Sequence, residues 1–276
     1  MIWRSIWLII IFFFFNAINA QTYSLSSNLK EISGLEFIND SILVAHNDSG
    51  NSPHLFLISH EGKVIKKVLV SNATNIDWED IASDDEFLYI GDIGNNLNKR
   101  KDLKIYRIKI TDLFIADSVI ASPMHIAYAD QKSYPPNKNE RNFDSECLIS
   151  AYGDLWIFTK NHSEPFDGYS KVYRFKFQSE SYLEIPVFTY INMGKDGYYF
   201  DTPTAGDFQN DKFYLNTYNR YLIFELKGNE FKLVKKKNFN DYNQKEALTI
   251  HNSSIWVANE FNKVFGKQKL KRINLK

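Results

Sequence analysis

ECLIS at residues 146–150 and LWIFT at 155–159 form a pair of apolar segments that the chain repeats four more times. In each copy an acidic or small residue opens the first segment, an apolar residue stands two positions on, and the second segment starts nine residues after the opening. The other openings are Ser33 (SGLEF, then ILVAH), Glu79 (EDIAS, then LYIGD), Thr204 (TAGDF, then FYLNT) and Glu246 (EALTI, then IWVAN). A fixed internal offset, recurring at intervals of 46, 67, 58 and 42 residues, is the mark of a repeat architecture.

More strand-like sequence follows each pair. Residues 53–59 (PHLFLIS) and 63–71 (KVIKKVLVS) follow the first, 103–110 (LKIYRIKI) and 125–129 (HIAYA) the second. Residues 170–177 (SKVYRFKF) and 185–191 (IPVFTYI) follow the third, 220–227 (RYLIFELK) and 230–236 (EFKLVKK) the fourth. Four alternating strands per repeat make a β-propeller blade. The fifth unit continues with KLKRINL at 269–275 and is one strand short, while TYSLS at 22–26 precedes the first unit with no partner. Pairing that N-terminal strand into the last blade closes the ring and leaves no open edge. The expected fold is therefore all-β: a five-bladed propeller of four-stranded blades closed by its own termini, occupying residues 21–276 as one domain. A six-bladed ring is the alternative, because the 67-residue interval after Glu79 has room for a degenerate blade. Residues 93–102 (IGNNLNKRKD) read as a loop and argue against it.

Residues 1–20 stand apart from the repeats. Arg4 gives a short positive start, residues 6–15 are continuously apolar, and Ala20 precedes Gln21 at a plausible cleavage point. This pattern reads as a secretory signal peptide, too short in its apolar core for a comfortable membrane span. The expectation is an exported protein, periplasmic or extracellular, with no stable membrane span after cleavage. Basic and acidic residues balance at 33 each, which gives no electrostatic case for nucleic acid or an anionic membrane. Cys147 is the only cysteine, so the chain has no internal disulfide, and its apolar neighbours mark it as a buried small hydrophobe. A monomer is expected.

Propeller geometry turns the repeat into a map of function. First strands line the central channel, and antiparallel alternation brings the start of strand one and the end of strand two to the same face. Ser33, Glu79, Asp80, Glu146, Thr204 and Glu246 therefore share one channel mouth with Asp48, Asp92, Lys160, Asn161, His162, Asn216 and Glu260. Convergent carboxylates and amides suit a hard cation, so Glu79, Asp92, Glu146 and Glu246 are the candidate ligands for Ca²⁺. Crowded carboxylates could also do general acid/base work, with Glu146 and His162 the candidates. A third role is structural, the glutamates accepting backbone N–H groups of the neighbouring blade. Long loops at 130–145, 162–170 and 192–203 are expected to rim the mouth, and they supply Lys138, Arg141, Phe166, Tyr169, Tyr198, Tyr199 and Phe200, with Asp48 and Asn161 from strand ends, as candidate ligand contacts. No phosphate-binding loop, G-x-S-x-G or H-E-x-x-H motif is present, and the histidines have no ligand spacing for zinc.

EISGLEF…HNDSGN, NIDWEDIA…YIGDIGNN, DSECLI and KEALTI resemble segments of exported β-propeller proteins of Bacteroidetes-type bacteria. More distantly, the blade starts resemble those of the SdiA-regulated and phytase-like (esterase-like) propeller families. Glu79, Glu146 and Glu246 match the family glutamates, and Ser33 and Thr204 depart from them. Some phytase-like relatives are calcium-dependent hydrolases, so the resemblance implies a possible calcium-dependent hydrolase of phosphoesters, esters or lactones. The residues themselves favour a binding module with a carboxylate-rich mouth for a small molecule, glycan or protein, because no asymmetric catalytic set stands out.

Overall fold

Burial falls from the channel outward, and residue type follows it. Trp78–Ser83 and Phe87–Asp92 are buried almost throughout, the acids Glu79, Asp80 and Asp92 included. Glu230–Asn238, at an outer edge, is exposed at most positions and carries three successive lysines, which discourage pairing with another chain. The computed structural model describes residues 20–275. Five sheets form a closed five-bladed propeller.

Blade one contains Ile32–Phe37, Ile42–Asn47, His54–Ser59 and Val64–Val70 from the channel outward. In the same order, blade two contains Trp78–Ser83, Phe87–Asp92, Lys104–Lys109 and Ser122–Tyr128. Blade three is Asp144–Ala151, Asp154–Lys160, Tyr169–Phe175 and Val187–Asn192, and blade four Ala205–Gln209, Lys212–Asn216, Arg220–Lys227 and Glu230–Asn238. Blade five is Lys245–His251, Ser254–Asn259 and Lys269–Asn274, completed by Gln21–Ser24, which pairs antiparallel with residues 269–272. The ring is thus closed by its own N-terminal strand.

The six-blade alternative fails because the long interval after Glu79 is filled differently. It holds the outer half of blade two, a short helix at Ile110–Ile115, a loop, and Ser118–Val119, which runs back to pair in parallel with the outer strand of blade one. Tyr182–Ile185 likewise joins the edge of blade two in parallel, not blade three. Both additions cover sheet edges that would otherwise stand open.

Five apolar clusters hold the ring, one at each junction between blades. Trp78, Ile81 and Ile90 pack against Val44 and Leu57 between blades one and two, and Trp156, Phe158 and Phe213 join blades three and four. Each such side chain contributes about 1.5–3 kcal/mol by leaving water. Cys147 is fully buried in the second of these clusters. The signal peptide expected at 1–20 lies, except for Ala20, outside the described residues. Among the described residues no helix is long and apolar enough to cross a membrane.

Candidate functional site

Four of the five opening residues sit on a β-bulge. The register of the innermost strand slips between Ile32 and Gly34, between Trp78 and Asp80, between Ser145 and Cys147, and between Lys245 and Ala247. The extra residue in each case is the opening one: Ser33, Glu79, Glu146 or Glu246. A bulge leaves one residue unpaired and re-aims its side chain. Ser33, Glu79, Glu146 and Glu246 all line a single cavity of about 210 Å³ at the mouth, together with Asp48, Asn96, Lys160, Tyr198, Tyr218, Gln244 and Glu260.

The only lysine in this lining is already engaged. Lys160 Nζ donates to Glu146 Oε1 and, at 2.7 Å, to the Tyr218 hydroxyl, and its ammonium lies 4.8 and 5.5 Å from the Tyr218 and Tyr198 ring centres. Burial pulls the Lys160 ammonium down, but Glu146, with Tyr218 and Glu246 beyond it, outweighs burial and leaves it well above the ordinary lysine value. Glu146 Oε2 is buried and has no partner among the described residues.

The remaining carboxyls have no basic ion-pair partner among the described residues. Burial, then Glu146, Asp48 and Asp77, lifts Glu79 well above the carboxylate range. Burial, reinforced by Glu260 against the opposing Lys160, pushes Glu246 up to about 8. Glu260 is raised to about 7 by burial, Asp48 and Glu31, and Asp77 to about 7 by burial, Asp48 and Asp144. Asp48, Asp77 and Glu79 each offer an oxygen within 4.8 Å of the others, the only such three-acid group among the described residues. Gly94 permits this crowding, because a Cβ there would lie 2.5 Å from the Asp77 carboxyl and collide with Glu79 as well. The site can hold a positive charge and hydrogen-bond donors in a small polar pit.

The candidate residues divide by location. Asp48, Glu79, Glu146, Glu246 and Tyr198 are gathered at the cavity. Asp92 is not presented to the same point: its Oδ1 accepts from Arg100 Nη2 at 2.8 Å and from the Asp77 N–H at 3.1 Å. His162 Nε2 is 2.7 Å from Asp144 Oδ2, and its ring is 4.9 Å from that of Tyr198, outside the cavity lining. Asn161 donates to Asp167 and to the Tyr169 carbonyl, stitching its own loop. Lys138 pairs with Glu164 on the surface, and the Arg141 Nε is buried beside the same loop. Tyr169 lines a separate lateral cavity of about 630 Å³ with Phe143, Lys171 and Tyr190. Tyr199 packs on Tyr198 and Tyr218, and Phe200 lies under the Arg220 guanidinium at 5.0 Å.

Fastening between blades falls to other residues than the opening glutamates. Asp80 Oδ2 accepts the Leu148 and Gly206 N–H groups, Asp207 accepts that of Ile250, and Asp144 that of Asn95. Ser33 Oγ donates to the Glu79 carbonyl at 2.6 Å, and Asn216 Nδ2 to that of Lys245 at 2.9 Å. Tyr218, Asp77, Gln244 and Asn96 belong to the site and escape the sequence reading. For Tyr218 a signal exists: Lys160, Tyr218 and Glu260 each stand fourteen residues after their unit's opening residue. Asp77 and Gln244 share another, each standing two residues before its unit's opening residue, while Asn96 lies in a loop with no repeat position.

No protein-family model matches the chain, and no curated protein matches it in sequence. Solved structures do resemble it. The glutaminyl cyclase of Myxococcus xanthus is 12% identical with a TM-score of 0.53, covering 92% of this chain and 95% of its own. An oxidoreductase (glucose dehydrogenase) of Thermus thermophilus is 9% identical with a TM-score of 0.51, covering 92% and 99%. These neighbours are β-propeller proteins, and at such identities the likeness shows the fold alone.

Proposed function

We propose that the protein is an exported monomeric binding module, periplasmic or extracellular, whose channel mouth holds the positively charged group of a ligand. One observation carries this reading. Around a cavity of about 210 Å³, Asp48, Asp77, Glu79, Glu246 and Glu260 lack a basic partner among the described residues, while Lys160 is consumed by Glu146 and Tyr218. Buried carboxyls without compensation are costly, and a cation entering the pit relieves that cost. The resemblance of segments along the chain to exported β-propeller proteins supports the same placement. Thermal unfolding of chelator-treated protein at pH 8, with and without Ca²⁺ or n-butylamine, tests it. A cation that binds only the folded chain raises the midpoint by mass action, and Glu79→Gln or Glu246→Gln should shrink the rise. No rise with either probe at millimolar concentration would sink the proposal.

A calcium-dependent hydrolase of phosphoesters, esters or lactones is the second reading, favoured by the grouping of Asp48, Asp77 and Glu79. These three fit a calcium ion better than the set Glu79, Asp92, Glu146 and Glu246, since Arg100 occupies Asp92 and Lys160 occupies Glu146. Calcium would supply Lewis-acid polarisation of a substrate oxygen. Calcium-dependent turnover of a phosphoester or lactone, lost in Asp77→Asn, would establish this reading over plain binding.

A further inference from the structure

An acidic pit explains only part of the mouth. Its rim carries large apolar and aromatic side chains in water: Leu97 at 60% exposure, Tyr199 at 61%, Tyr242 at 76%, Val264 at 82%, with Phe261 and Phe265 between 42% and 49%. Each is tied to the cavity lining. Leu97 follows Asn96, Phe261 follows Glu260, Tyr242 lies two residues before Gln244, and Tyr199 packs on Tyr198 and Tyr218.

The most prominent part of this rim is built to keep apolar groups out of the protein. Asn262 and Gly266 exchange backbone hydrogen bonds, and Asn262 Oδ1 accepts the N–H groups of Val264 and Phe265, which fixes the turn with both side chains at its tip. Asn262 Nδ2 also donates to Gln244 Oε1, anchoring the turn to a cavity-lining residue. Turn tips normally carry small polar residues, so an ordered tip of Val and Phe calls for a partner surface. The other end of the channel is acidic too, a cavity of about 400 Å³ with Glu36, Asp84, Asp85 and Asp207. That end exposes large apolar side chains as well: Tyr152, which packs on Phe208, and Phe114 and Ile115 of the short helix at Ile110–Ile115, whose first N–H donates to the Glu86 carbonyl beside that cavity. The ordered Val264–Phe265 tip belongs to the mouth that holds the opening glutamates.

Resting on the reading of the mouth as a cation-binding pit, we propose that the face docks a peptide segment of a protein partner, which inserts a Lys or Arg side chain among Glu79, Glu246 and Glu260 and lays its flanking apolar residues on the rim. Charge complementarity chooses the inserted group, and the buried Glu146 Oε2, which lines the same cavity without a partner among the described residues, offers it an acceptor at depth. A free metal ion or a small amine would satisfy the acids and leave the rim without purpose.

Calorimetric titration with acetyl-Leu-Lys-Leu-Phe-amide, the same peptide with norleucine for lysine, n-butylamine and CaCl₂ tests the proposal. The lysine peptide should bind at least tenfold tighter than n-butylamine and than the norleucine peptide. Val264→Ser with Phe265→Ser, at an exposed tip and checked by melting midpoint, should weaken peptide binding at least fivefold more than n-butylamine binding. A lysine peptide that binds no tighter than n-butylamine, or that ignores the tip substitutions, overturns the docking inference and leaves the pit reading intact if n-butylamine or Ca²⁺ still binds. If neither cation nor peptide binds, the pit reading falls with it.

Discussion

At the scale of single residues, the mouth stores protons. Glu246, near 8, and Glu260 and Asp77, near 7, keep protons in the folded chain that the unfolded chain has already released. The folded state therefore binds more protons between the ordinary carboxylate range and about pH 8, and stability falls as pH rises through that window. His46, lowered to about 4 by burial, acts in the opposite direction below its unfolded value of 6.5, and Lys245, lowered to about 7 by burial and by Lys271, does so above pH 7. The melting midpoint should thus drop between pH 6.5 and 7.5, before Lys245 offsets the acids, and Glu246→Gln should flatten the drop. A flat wild-type profile would mean that other groups compensate these acids. The Lys160–Glu146 pair makes a second prediction. Lys160→Met leaves Glu146 buried without its counter-charge and should cost about 3–5 kcal/mol in urea unfolding at pH 8. Adding Glu146→Leu should recover most of that loss, and a single variant as stable as wild type would show that the pair is not needed for folding.

At the scale of the element, the nine-residue offset reveals where strands begin, although the turn between the two inner strands varies: four residues in blade one, three in blade two and two in each of the others. It does not reveal the bulges. A bulge adds one residue without altering composition, so nothing in ECLIS or EALTI shows that Glu146 and Glu246 stand outside the ladder. Loop placement is harder still. The sequence puts residues 130–145 at the mouth, but side chains distant in sequence hold that loop against blade two: Gln131 Nε2 donates to the Asn98 carbonyl, and Phe143 N–H to Asn98 Oδ1. Part of the loop thereby encloses the lateral cavity. The parallel edge strands at 118–119 and 182–185 are equally hidden, since two to four residues give too little alternation to read. One element invites a test. The turn after Phe87–Asp92 passes Gly94 against two acids, so Gly94→Ala should destabilise by about 1–3 kcal/mol and weaken cation binding at the mouth. Wild-type affinity in that variant would place the cation away from Asp77 and Glu79.

At the scale of the whole molecule, closure is legible because an unpaired strand at one end matches a missing strand at the other. The ring depends on that match. Gln21–Ser24 covers the edge of Lys269–Asn274, and Tyr23 stacks on Trp256 at 6.5 Å. Removing residues 21–24 should lower the melting midpoint by at least ~5 °C, on the usual scale of 2–4 °C per kcal/mol for a domain of this size. An unchanged midpoint would show that the other junctions alone hold the ring. The same seam has a bearing on synthesis. Residues 21–24 leave the ribosome long before 269–274, so the first strand waits for a mate until the end of translation, and a product truncated before Lys269 never supplies one. Two full-length copies, however, can each lend that waiting strand to the other's last blade, and the covalent gap that makes the ring closable makes it exchangeable: strand-swapped dimers are the natural misassembly of this chain at high concentration.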